Sequence, residues 1–141
     1  MTTGALASSV LQDAAFDALN VAAFTALSTG GVFTDVPQDT AFPYTWLAFG
    51  DPAEDPVNET FGRLGVVVHL EVQAFSDYQG DDQVIDILDK AAELLHHVNL
   101  TVTGWAVPYI GRTVSTIQLV EINGVPVRIG TLRLDAHLIK S

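Results

Sequence analysis

Asn123-Gly124 separates two long runs of alternating apolar residues, 112–122 and 125–139, and this arrangement constrains the fold more than any other feature. A two-residue turn of type I′ needs positive φ at both central residues, so Asn-Gly between alternating arms predicts an antiparallel hairpin. In the second arm the apolar parity changes. Val125, Val127 and Ile129 are odd, whereas Leu132, Leu134, Ala136 and Leu138 are even. One extra residue at Ile129-Gly130 accounts for the change and predicts a β-bulge near Gly130. A second strand is predicted from Leu64 to Ser76. Val66, Val68, Leu70, Val72 and Ala74 take one face, and Val67, His69, Glu71, Gln73 and Phe75 take the other. The second face is mixed, so this strand is expected to be half covered.

Helical spacing appears in two places. Leu11, Ala15, Leu19, Ala22 and Ala26 recur at three- and four-residue intervals, which predicts a helix over 2–27, split in two at Asn20 and ended by Gly30-Gly31. Val84, Ile87, Leu88, Ala91, Leu94 and Leu95 form one apolar stripe after Gly80-Asp81-Asp82. The two aspartates suit a helix N-terminus, where free amides and the dipole favour negative charge, and His96-His97 suits its C-terminal turn. A short extended piece is expected at 32–36 and an aromatic strand at 43–49. The polar stretch from Gly50 to Gly62 has no apolar periodicity and reads as an exposed loop. The order of elements implies an α+β fold: two main helices on a mixed, largely antiparallel sheet with a C-terminal β-hairpin. A chain of 141 residues fits one domain, 1–141.

Composition limits the functional classes. The chain carries 17 acids against 6 bases, a net charge of −11. Nucleic-acid grip needs clustered Lys and Arg, and here Arg63, Lys90, Arg112, Arg128, Arg133 and Lys140 are scattered. Apolar residues make up 48% and mean hydropathy is +0.31, which implies either a rich core or apolar surface that meets a partner. No apolar run approaches the ~18 residues that cross a bilayer, so no membrane partner is expected. Residues 1–9 lack the basic residues of a secretory leader, so the chain is expected to be cytosolic when made. The Asn-X-Thr matches at Asn58 and Asn99 are then incidental. Without cysteine there is no disulfide and no thiolate metal site.

Catalytic patterns are not found. His69, His96, His97 and His137 have no ligand spacing, and adjacent histidines on a helix point about 100° apart. His69 and His137 are at most cross-strand neighbours forming half a site. There is no GxSxG elbow and no Gly-rich phosphate cradle. The aromatic residues Tyr44, Trp46, Phe75, Trp105 and Tyr109 read as core or interface. The chain is therefore expected to have no catalytic residue, no metal and no cofactor. A small-molecule-binding domain or hydrolase built on the acidic stretch and His69 is the alternative from another class.

The layout resembles the tail-completion, or tail-terminator, family of long-tailed phages. The resemblance runs through the Ala/Leu-rich segment 5–27 and then Val32-Phe33-Thr34-Asp35-Val36-Pro37. It continues with Ala41-Phe42-Pro43-Tyr44, the strand Val68 to Ser76, and Glu121-Ile122-Asn123-Gly124 with Arg128 to Leu134. Asn-Gly stands where that family more often has Asp-Gly, and Val125-Pro126-Val127 is unusually apolar. The resemblance implies a structural virion protein at the tail and neck. It implies a homo-hexameric ring that caps the tail tube and joins it to the head. The implied partners are the chain itself, the tail-tube protein and a head-connector or stopper protein, with DNA passing through the lumen unbound. Another neck component, a head-completion or stopper protein, is the alternative within virus assembly. Six copies would carry about −66 formal charges, 6 × −11, so a negative channel would let DNA slide. Asp51, Glu54, Asp55 and Glu59 are the candidate lumen or docking residues.

Overall fold

The structure, a computed structural model, describes residues 7–58, 64–95, 102 and 104–140 of the chain. Five strands form one sheet in the order β1-β2-β3-β5-β4. They are β1 (Val32–Phe33), β2 (Tyr44–Asn58), β3 (Leu64–Ser76), β4 (Trp105–Ile122) and β5 (Val125–Lys140). β1 runs parallel to β2 and every other pair is antiparallel, so the sheet is mixed. The helices are α1 (Ala7–Leu19), the single turn α2 (Ala22–Thr25) and α3 (Asp82–Leu94). The class is α+β.

α1 and α3 cover one face of the sheet. The even residues of β3 and β5 are fully buried there: Val68, Leu70, Val72 and Ala74 beneath the helices, with Leu132, Ala136 and Leu138 alongside. From α3, Val84, Ile87, Leu88 and Ala91 enter the same core, as their three- and four-residue spacing dictates. From the N-terminal side come Ala15, Leu19 and Phe24. The chain breaks at Asn20, and Val21 takes an extended conformation before α2. Gly30 follows in tight quarters: a Cβ there would sit 1.9 Å from the carbonyl oxygen of Ala41, so only glycine fits.

Four sequence expectations need correction. The stretch 50–62 is not a loop, because β2 continues to Asn58 and pairs with β3 from Glu54 to Asn58. A register shift between Phe49 and Glu54 absorbs the irregular residues. Among the described residues β1 pairs with β2 only at Thr45 and Trp46 and no strand pairs with the outer edge of β2 at Pro56, the kind of position where proline is tolerated in a sheet. Polar composition hid a strand whose backbone, not its side chains, does the pairing. Residues 59–63 lie outside the described residues.

The second correction concerns Gly130. The register runs unbroken through it on both sides, Ala74 opposite Gly130 and Ile117 opposite Gly130. The parity change marks a switch in which face is apolar, not an inserted residue. Gly130 is required for another reason: a Cβ there would lie 2.8 Å from Leu88 Cδ1 and 3.2 Å from Val84 Cβ, where α3 crosses the sheet. The irregularities fall in β4, between Ala106 and Tyr109, which spans Pro108, and between Arg112 and Val114. That strand begins at Trp105, seven residues before the predicted 112.

Third, Asp81 holds the N-cap position of α3 and Asp82 lies in its first turn, as expected, but the Asp81 side chain does not do the capping. The residue has helical φ and ψ and no side-chain cap bond. Its carboxylate instead accepts from Arg128 Nε at 2.8 Å, while Arg128 also donates to the Tyr78 carbonyl at 2.9 Å. The approach to α3 is set by buried Ser76, whose hydroxyl bonds Gln83 and accepts from the Tyr78 amide. Fourth, within the predicted helix over 2–27 the second piece is only the single turn α2, which ends at Thr25, while residues 2–6 lie outside the described residues. His96 and His97 lie outside them.

Candidate functional site

The face of the sheet opposite the helices carries two unlike regions. Near the middle is a charged cluster formed by odd residues of β3 and β5 with Asp55 of β2. His69 is 8% exposed, and both ring nitrogens are engaged. Nδ1 lies 2.6 Å from Asp135 Oδ1, and Nε2 lies 2.7 Å from Asp55 Oδ2. Arg133 Nε stands 3.5 Å from the same Asp135 oxygen. The bond to Asp135 first, and then the bond to Asp55, raise the His69 pKa above its ordinary value; burial opposes them. The cluster therefore favours the protonated form of His69 between two carboxylates and ties together three strands.

This geometry is unsuited to general-base catalysis. A base needs one free nitrogen to take a proton from a nucleophile, and here both nitrogens are bonded to carboxylates. Among the described residues no group of His, Cys, Asp and Glu is placed to hold a metal ion. His137 lies opposite Val67 and His69 opposite Asp135, so the two histidines are not directly paired. The role of Asp135 was missed in the sequence. The signal was present: an odd residue on β5 must share the face of an odd residue on β3 once the antiparallel register is known.

Two of the four acidic candidates, Glu54 and Asp55, are separated by the sheet. Asp51 lies within β2, in the shifted stretch. Glu54 and Asp55 are consecutive strand residues and turn to opposite faces. Glu54 Oε2 accepts from the Ser8 amide at 2.8 Å, near the start of α1 on the helix side, where the helix dipole favours an anion. Asp55 holds His69 on the open side. Glu59 lies outside the described residues.

The second region is the far end of β4 and β5. Pairing of β5 with β3 stops at Ser76 opposite Arg128, so beyond that point the two strands run on as a two-stranded ribbon to the Asn123-Gly124 turn. Both turn residues have positive φ, 51° and 78°. Ile122 and Val125 are exposed in this ribbon, and Ile117 and Leu119 at its base, Leu119 by 61%. They divide between the two faces. Ile117 pairs with Gly130 and Leu119 with Arg128, both on the α3 side. Ile122 pairs with Val125 on the open side, where they line a cavity with Pro37, Phe42 and Tyr44. Tyr44 is itself sandwiched, with ring centroids 5.5 Å from Phe42 and 4.7 Å from Phe75, and burial raises its pKa. Among the described residues no helix is long and apolar enough to cross a membrane.

Comparison with known proteins bears on these surfaces. The family described as "Tail completion protein gp17" matches residues 13–115. No curated protein matches the sequence. Among solved structures, a chain of the "Virion of native gene transfer agent (GTA) particle" is similar with a TM-score of 0.76 at 17% identity. The match covers 94% of this chain and 97% of that one. At that identity the likeness establishes the fold.

Proposed function

The chain belongs to the tail completion protein gp17 family, and on that premise we propose that it is the ring subunit that closes the tail tube and joins it to the head. Its role is structural and not enzymatic, in the assembly of a phage tail. The family match, which runs from the middle of α1 through α3 to the middle of β4, carries the reading. Two further observations support it. His69 has no free nitrogen for catalysis, and exposed apolar side chains concentrate at one projecting end of the fold.

In this reading six copies close into a homo-hexameric ring. One rim contacts the tail-tube protein and the other a head-connector or stopper protein. DNA passes through the lumen, and the net charge of −11 per subunit keeps it from adhering. Asp51, Glu54, Asp55 and Glu59 remain candidates for the lumen or a docking rim, with one qualification. Glu54 and Asp55 also hold α1 and His69 in place, so reversing their charge would disturb the subunit as well as any channel.

Removal of the gene from the phage that encodes it tests the reading. Filled heads and separate tails should accumulate, and purified protein should restore joining when added to the lysate. Normal joined particles without the chain would contradict it.

A further inference from the structure

We propose that the projecting β4–β5 ribbon is a two-sided docking element that takes a second copy of this chain on each face. This rests on the ring reading above and names the surface through which the ring closes. On the α3 side, Ile117 lines a cleft with Ile85, Leu88, Asp89 and Arg112, and Leu119 is exposed two residues further along β4. On the open side, Ile122 and Val125 stand beside the segment 37–42 with Asp39. The α3-side patch of one copy receives the open-side patch of the next.

Three observations select this occupant. A two-stranded ribbon is marginal by itself and gains order from being covered on its faces. From the base of this ribbon at Ile117 to its turn at Val125, both faces carry exposed aliphatic side chains among the described residues. Second, charge selects the surface. Two copies at −11 repel, yet residues 114–127 contain a single charged side chain, Glu121, in a chain that has 17 acids and 6 bases. This is the stretch on which two such subunits can approach within a Debye length at least electrostatic cost. Third, the two patches differ and lie on opposite sides. Unlike patches give a heterologous, head-to-tail contact, which builds a ring when its rotation closes, whereas a self-complementary patch would stop at a dimer.

The absence of native cysteine makes a direct test possible. The double variant Ile85→Cys/Val125→Cys is introduced into the phage, and assembled particles are treated with a short thiol-reactive crosslinker. On a denaturing gel the double variant should give a ladder of multiples of the subunit mass, and each single variant should run as a monomer. Dimers from Ile85→Cys alone would mean that like patches meet and would overturn the proposal. So would a double variant that stays monomeric in particles whose neck shows the ring; that result leaves the ring reading standing. Particles that lack the chain altogether would remove both. Leu119→Asp and Val125→Asp supply an independent arm. Each should lower incorporation by about tenfold or more, as loss of an interface anchor does, with thermal unfolding of the free subunit unchanged. Full incorporation of both variants would also overturn it.

Discussion

The two faces of β3 and β5 are built from alternate residues of the same strands, and they do different work. On the helix side, Val68, Leu70, Val72, Leu132 and Leu138 are buried in a dry core under α1 and α3. On the open side the same strands present His69, Glu71, Arg133 and Asp135, held by hydrogen bonds and ion pairs. One face holds the domain together by area removed from water, about 25 cal/mol per Å² of apolar surface. The other contributes less to stability and is available for a neighbour. A sheet covered on one side only is a usual antiparallel solution, and it leaves the second side to function.

Changes that breach the covered side or the strand register should have the largest effects. Deleting Ala53 to Asn58 removes the part of β2 that pairs with β3 and should prevent folding, read by loss of the cooperative unfolding transition. Next, Leu70→Ala should destabilise by about 2–5 kcal/mol in denaturant titration, because Leu70 is fully enclosed in the core. Gly130→Val should cost about 1–3 kcal/mol by overpacking, since Leu88 can turn away but the Val84 Cβ cannot.

The open side should respond to pH instead of volume. The folded-state pKa of His69 lies above its ordinary value of 6.5. Its contribution is therefore fully present below that value and is lost as pH rises through the raised folded pKa. Unfolding free energy should fall across that window, and His69→Gln should flatten the fall. A pH dependence unchanged in His69→Gln would show that the Asp55–His69–Asp135 cluster is not its source. The smallest stability effect is expected at the ribbon. Leu119→Ser should change the free subunit by no more than about 0.5 kcal/mol, because the side chain is largely exposed.

The same contrast explains what was legible in the sequence. β3, α3 and the Asn123-Gly124 turn were readable because apolar period and turn chemistry are local signals. The second half of β2 was not, since Asp51 to Asn58 carries no apolar alternation and owes its strand to β3. Gly130 misled in a similar way: its neighbour is α3, more than thirty residues earlier, and no local pattern reports that contact. The open-side cluster was half legible. His69 could be placed on the mixed face of β3, but its partners Asp55 and Asp135 follow only from register across three strands. The acidic character of 51–59 was visible, whereas the division of Glu54 and Asp55 between two faces required knowing that they lie in a strand.

Electron microscopy of the intact particle, with this chain located by a small tag on a surface residue, tests the central claim most directly. The account predicts density from a closed ring of this fold between the last layer of the tail tube and the head, with the β4–β5 ribbons at the contacts between neighbours. Finding the chain at the tail tip or in the head shell, or as isolated single copies, would contradict it.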